Sequence, residues 1–270
     1  MTAANELDPD NSHWHWLAYD LRVWRLERNL TQAEVGKILC VQKAQVSNWE
    51  SGRENLPVRH AETLDATWRT GGHFARLRLL AERQHDPGWW ETYTPLEAAA
   101  IRMGYWALSI IPGLLQTEDY ARALLEGGQI VEDVEEAVAA RMKRQEILAR
   151  AKPLELRVLI NEGALDQLVG GPEVMRAQLA HLITLSNRRN IILRIVPRGV
   201  GAHIGLDGSF TLLTGGNGSA AYMEANTGGR LVYDPTRVED FIRRFDLIGA
   251  EALSASASQR LLARIMEAIQ

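Results

Sequence analysis

The chain has 270 residues, 46% of them hydrophobic and 24% charged, with a formal net charge of −4. That balance describes an ordinary globular protein of one large or two medium domains, with enough apolar material for a real core. No apolar run reaches the roughly 20 residues that span a bilayer. The start, MTAANELDPDN, is acidic and polar rather than signal-like, and a single cysteine forms no internal disulfide, so the sequence predicts a cytoplasmic protein away from the membrane.

In chain order, residues 1–13 read as a disordered tail and 14–28 as a helix that buries Leu17, Leu21 and Trp24 at i, i+4 and i+7. His13 and His15 lie two apart, which on a helix turns them to different sides. With no Cys and His cluster at ligand spacing, neither a metal nor a cofactor is expected.

Residues 31–52, TQAEVGKILCVQKAQVSNWESG, carry the main functional signal. Thr31 and Glu34 have the spacing of a capping box, in which each side chain bonds the other's backbone N–H, so a helix starts at Gln32. Ala33, Val35, Ile38 and Leu39 form its expected core stripe, with Gln32 and Lys37 outside. A second helix over 43–49 buries Val46 and Trp49 and leaves Lys43, Ala44, Gln45, Ser47 and Asn48 outward. Two short helices joined by a tight turn, the second with a polar outer row, make the layout that puts side chains into a DNA major groove.

Pro57 then opens a helix to about residue 70, with Leu64 and Trp68 inward, and Gly71-Gly72 ends it. The charges around this region nearly cancel, although Lys37, Lys43 and Arg53 flank the outward row. Few phosphate contacts per copy imply weak, salt-sensitive binding by one copy. A homodimer reading two half-sites about one helical turn apart is therefore expected.

Residues 73–85 read as a linking helix with Phe74, Leu77, Leu80 and Ala81 on one side and Arg76, Arg78 and Arg83 around the rest. DPGWW at 86–90 reads as a turn with two aromatic anchors, and 96–106 is ambiguous between helix and strand. Thr117 caps a helix with Glu118 and Asp119 in its first turn, and a long helix is expected over 132–151. Strands are expected at 154–160 and 190–196, separated by helices near 164–169 and 172–186. Segments 209–214, 219–225 and 229–234 read as an antiparallel set, followed by a helix from Pro235 and another capped by Ser254.

Three places in this second region stand out. In PGLLQT, Pro112, Gly113, Leu114, Leu115 and Thr117 each have a structural task and Gln116 has none, so Gly113, Leu115, Gln116 and the nearby Tyr120 are candidate partner or ligand contacts. His203 and Asp207 lie in a glycine-rich loop at 199–208, either a lid or a hairpin connection. Tyr222 and Glu224 share one face of a strand, where an interior carboxylate needs a cationic partner. Motifs of nucleophile elbows, zinc proteases and phosphate-binding loops are missing, Gly216-Asn217-Gly218 precedes a strand rather than a helix, and Glu97, Glu162 and Glu224 have no spacing that demands acid–base work. No enzyme is expected.

Over residues 17–70 the TQ start, apolar stripe, V-S pair and E-x-G ending resemble the XRE-type helix-turn-helix family that includes the phage repressors. The resemblance implies that Gln32, Lys43, Ala44, Gln45 and Asn48 face the groove and that Arg25 and Glu50 form a buried ion pair; Thr31, Lys37, Gln42 and Arg53 are further candidate DNA contacts. The chain departs from the family where Cys40 replaces a turn glycine and Gln42 replaces a capping Ser or Thr. Over residues 86–268, PGLLQTEDYARALL, RMKRQEIL, INEGAL, VMRAQLAHL, GAHIGLDGSFTLL, YMEA and FDLIGAEALSASAS resemble the effector-side domain of actinobacterial antitoxin-like XRE regulators. The expected fold is α+β: an all-α helix-turn-helix domain over 14–72, the linking helix, then a mixed α/β domain over 86–270. The resemblance implies a sequence-specific transcription regulator of operator DNA, whose second domain dimerises and receives a signal from a small protein or ligand. The alternative is an antitoxin-like protein that sequesters a small partner encoded nearby and regulates its own operon.

Overall fold

Short helices succeed one another through the described residues of the first unit, and a six-stranded sheet organises the second. The computed structural model describes residues 7–10, 12–83, 89–129, 131–216, 218–225 and 228–269. Two compact units meet in sequence at Trp89 and Trp90.

In the first unit α1 (His13–Glu27) begins where Ser12 Oγ accepts from the His15 N–H, one residue ahead of the sequence expectation. It is followed by α2 (Gln32–Leu39), α3 (Lys43–Glu50), α4 (Val58–Trp68) and α5 (His73–Arg83). Leu17, Leu21, Val35, Leu39, Val46, Trp49, Leu64, Trp68, Phe74 and Leu77 form one core. The segment read as a linking helix thus packs into the bundle. Its start is fixed by Asp65, whose carboxylate accepts from the Phe74 and Ala75 N–H groups at 2.9 Å each.

Packing of α5 against α1 and α4 also rotates it away from the expected register. Leu80 is exposed, whereas Arg78 is buried, bonded to Glu82 at 2.9 Å and to the Leu56 carbonyl at 2.8 Å. Ala33 likewise faces solvent, because Val35, Gly36 and Leu39 already fill the buried side of the two-turn helix α2. Of the tail expectation, residues 1–6 and 11 lie outside the described residues, as do 84–88 with the DPG of DPGWW.

The second unit opens with α6 (Trp89–Ala99) and β1 (Arg102–Ala107), so the ambiguous 96–106 segment is a helix end followed by a strand. A 3-10 turn (Gly113–Leu115) leads into α7 (Glu118–Gly128), capped by Thr117. Next, α8 (Val134–Arg144) is shorter than expected, since Asp133 caps it late and the chain tightens into a 3-10 turn over Gln145–Leu148. β2 (Glu155–Asn161) and β3 (Ile191–Val196) flank α9 (Pro172–Ser186), and the expected helix near 164–169 is a 3-10 turn over Glu162–Leu165, started by the Asn161 side chain. β4 (Phe210–Gly215), β5 (Gly218–Ala225), β6 (Gly228–Val232), α10 (Pro235–Glu251) and α11 (Ala255–Ala268) complete it.

Strand order is β3-β2-β1-β4-β5-β6, with the first three parallel and the β1–β4 and later pairings antiparallel. The alternation of strand side chains splits the residues between two faces. Trp106, Leu159, Val196 and Phe210 pack with Phe241, Phe245 and Ile248 of α10. On the reverse face Tyr105, Thr211 and Tyr222 stand in one cross-strand row. The β3 edge is closed by the α10–α11 corner: Ile195 donates to Ser258 Oγ and accepts from the Leu253 N–H, each at 2.9 Å. Bonds of this kind remove the open edge that invites strand pairing between chains.

Candidate nucleic-acid interface

The α2–turn–α3 unit is built from local bonds. Thr31 Oγ1 accepts from the Glu34 N–H at 3.2 Å, and the Glu34 carboxylate accepts from the Thr31 N–H at 2.7 Å. The Thr31 N–H first, and then the Thr31 hydroxyl, which donates to the same carboxylate at 2.7 Å, hold the Glu34 carboxyl below its ordinary range. The helix ends at Cys40, which sits in the left-handed region at φ 56°, ψ 43°, as the missing turn glycine implied. Beside it the Val41 N–H returns to the Gly36 carbonyl at 2.8 Å. A Cβ on Gly36 would come within 2.7 Å of the Val41 carbonyl oxygen, so this glycine is what lets the two helices turn so closely.

Gln42 stands at the N-cap of α3 and makes no side-chain capping bond. Val46 and Trp49 bury one side of α3, while Gln42, Lys43 and Ala44 are exposed and Gln45, Ser47 and Asn48 half-buried on the other. Thr31, Lys37 and Arg53 are exposed as well.

Beneath it, Arg25 and Glu50 meet as a two-bond pair, Nε to Oε1 at 2.5 Å and Nη2 to Oε2 at 2.9 Å, with the Leu30 carbonyl accepting from Nη1 at 2.9 Å. Bonding to Glu50 holds the guanidinium even more firmly protonated than usual. Gln32 joins the same carboxylate, donating from Nε2 to Glu50 Oε2 at 2.9 Å. This ties the first residue of α2 to the last of α3.

After α3, Gly52 at φ 71° turns the chain back, and the Arg53 and Glu54 N–H groups bond the Asn48 carbonyl at 3.0 and 3.3 Å. The Glu54 carboxylate is thereby brought alongside α3, where it accepts from Gln45 Nε2 and from Asn48 Nδ2, the latter at 2.8 Å. Glu54 is not among the residues that the sequence pattern singles out. Its signal was the Gly52 turn, which returns a residue two positions later onto the helix just finished.

In the second unit the candidate residues fall into different places. Leu115, Gln116 and Tyr120 are buried: Gln116 donates to the Ile111 carbonyl at 2.7 Å and accepts from Arg141 at 2.9 Å, and Tyr120 Oη accepts from the Ile111 N–H at 3.4 Å. They shape the interior and present no outer surface. Gly113 lies above the Arg141 stem, with a virtual Cβ 3.9 Å from Arg141 Cδ. His203 accepts from the Gly205 N–H at 3.1 Å and meets Trp106 edge-on, on the other sheet face from Tyr105 and Tyr222, so the structure does not join it to the rest.

Tyr222 is buried and Glu224 exposed, the latter accepting from Tyr105 Oη at 3.1 Å. Tyr93 donates to Glu97 at 3.0 Å, and Arg144 bonds both Glu97 oxygens at 2.6 and 2.7 Å. Burial first, then the neighbouring carboxylates, pushes the Tyr93, Tyr105 and Tyr222 hydroxyls above their ordinary range. Burial and then Arg144 lower Arg141, with Glu224 opposing. Glu162 is elsewhere, accepting from the Arg198 N–H at 2.9 Å. The three carboxylates weighed for acid–base work therefore already have separate partners.

On the α10 side of the sheet, a hollow of about 430 Å³ opens between β2, β3 and α10, floored by Leu159 and Ile192 and bordered by Arg157, Arg194, Phe245 and Gly249. Among the described residues no helix is long and apolar enough to cross a membrane.

A tightly turned helix pair, anchored below by an ion pair and showing a polar, partly cationic outer row, defines a DNA-binding regulator of the XRE helix-turn-helix type. The helix-turn-helix family model matches residues 21–65. The chain belongs to the family of the domain of unknown function DUF5753, whose model covers residues 90–264. No curated protein and no solved structure matches it.

Proposed function

We propose that the protein reads a specific operator as a homodimer, with Lys43, Ala44, Gln45 and Asn48 of α3 and Gln32 of α2 at the base edges and Thr31, Lys37, Gln42 and Arg53 toward the phosphates. The observation that carries this is the outer face of α3, whose exposed and half-exposed polar residues stand on a helix fixed from beneath by Arg25, Glu50 and Gln32. A rigid support of that kind holds side chains in register with base edges. Pairing follows from charge, because one near-neutral bundle releases few counterions on DNA.

The second unit, in this reading, joins two copies and receives a signal from a small protein or ligand. The hollow beside Gly249 supports a receiving role, since its volume lies in the range of small-molecule sites. A ligand or partner that binds one arrangement of the dimer more tightly shifts the population competent for the operator. An antitoxin-like role differs only in what occupies the second unit. The test is gel retardation of the protein's own promoter fragment by wild type and by the Lys43→Ala, Gln45→Ala double variant. Nanomolar, sequence-dependent retardation that the double variant loses supports the reading, and sequence-indifferent binding by both refutes it.

A further inference from the structure

Three amides proposed to face DNA, those of Gln32, Gln45 and Asn48, share one feature: each turns its NH₂ toward a carboxylate. Gln32 donates to Glu50 at 2.9 Å, while Asn48 at 2.8 Å and Gln45 both donate to Glu54. An ionised carboxylate only accepts hydrogen bonds, so an amide touching it is obliged to present nitrogen. Chemistry therefore settles which end of each amide faces inward. In Gln45 and Asn48, one N–H of each NH₂ is spent on Glu54, and the carbonyl oxygen and the second N–H remain for a ligand.

We propose that Glu54 is a specificity-determining residue that makes this surface select adenine and reject guanine at the positions under Gln45 and Asn48. The inference rests on the operator-binding reading above. In the major groove adenine shows an N6 amino donor next to an N7 acceptor, and an amide offering one carbonyl oxygen and one N–H matches both. Guanine shows two acceptors, O6 and N7, so the outward carbonyl oxygen would oppose O6. A free amide escapes that conflict by rotating its NH₂ outward. Glu54 resists the rotation, because turning either amide over would set a carbonyl oxygen against the carboxylate.

Glu54 can act in this way because the turn holds it: Gly52 reverses the chain and the Glu54 N–H bonds the Asn48 carbonyl at 3.3 Å. The residue is exposed and has no part in the bundle core, so its stabilising role is small and its orienting role is separable. A carboxylate on this surface also opposes the phosphate field. Specificity is thus obtained at some cost in overall attraction to DNA, which sets the sign of the test.

Full-length wild type and Glu54→Ala are each used to select bound duplexes from a random pool, and parallel selections with Gln45→Ala and Asn48→Ala assign the positions these residues read. Wild type is expected to favour adenine over guanine there by about tenfold or more, within the range of a bidentate amide contact. In Glu54→Ala that ratio should fall at least about fivefold toward unity while affinity for unrelated DNA rises. Glu54→Gln, which keeps one accepting oxygen, should fall between. An unchanged preference in Glu54→Ala, or guanine preferred by wild type at those positions, overturns the role of Glu54 and leaves operator binding standing. No enriched sequence for wild type would overturn both.

Discussion

Replacing Glu50 with Ala strands a charge in the first unit. The Arg25 and Glu50 side chains are only 11% and 3% exposed, and two guanidinium bonds end on Glu50 beside the one to the Leu30 carbonyl. After the change Arg25 keeps the Leu30 carbonyl and, among the described residues, no ion-pair partner. Such a loss costs about 3–5 kcal/mol, because the remaining ion is neither solvated nor paired. Gln32 adds little, since it is half-exposed and can turn to water. Against a total domain stability of about 5–15 kcal/mol, the change removes a large share.

Replacing both partners at once, Arg25→Met with Glu50→Leu, takes away the charge together with its need for compensation and should cost under about 1.5 kcal/mol. Hydrogen exchange of peptides from α2 and α3 reports this unit by itself. Glu50→Ala should speed exchange of the most protected amides there roughly 100- to 5,000-fold, and the double variant should restore most of the protection. A single variant that loses less than about 1 kcal/mol, or a double variant no better than the single, would refute the reasoning.

Cys40→Gly should stabilise the same unit by about 0.5–1 kcal/mol, since relief of the left-handed backbone outweighs the added freedom of glycine in the unfolded chain, and a urea midpoint measures it. His60 is buried against Trp49, and burial, then Arg59, holds its imidazole below its ordinary value of 6.5. The unfolded chain then binds the proton more readily, so this contribution is complete above pH 6.5 and is lost as pH falls through the lowered value; His60→Leu should flatten the fall in urea stability between pH 7.5 and 5.5 relative to wild type. In the second unit Glu97→Ala removes the acceptor of two Arg144 bonds and should cost about 1.5–3 kcal/mol by thermal unfolding, with Arg144→Met in the same chain recovering part of it.

What the sequence made legible was mostly local. The Thr31–Glu34 capping box, the Thr117 and Ser254 caps and the strands at β2 to β5 depend on residues a few positions apart, and spacing reveals them. The α5 register was not legible, because Leu80 and Arg78 exchange sides only once Phe74 and Leu77 are drawn against α1 and α4. Segment 96–106 escaped a single assignment for a related reason, since Pro95 lies inside α6 and the strand after it is defined by partners at 155–160 and 210–214. At the candidate interface the outward row of α3 could be read from period alone. Glu54 could not, since its contacts depend on a turn that folds back over Asn48, and the Tyr105–Thr211–Tyr222 row depends on a strand register that joins residues far apart in the chain.

Operator recognition of the proposed kind requires that α3 read bases and that two copies read together. Selection of bound duplexes from a random pool by the full-length protein, repeated with the Lys43→Ala, Gln45→Ala variant, measures both at once. The expected result is an enriched site of two inverted half-sites with centres about 10 base pairs, or a multiple of one turn, apart, and loss of enrichment in the variant. A pool that stays unenriched, or the same enriched site from both proteins, would contradict it.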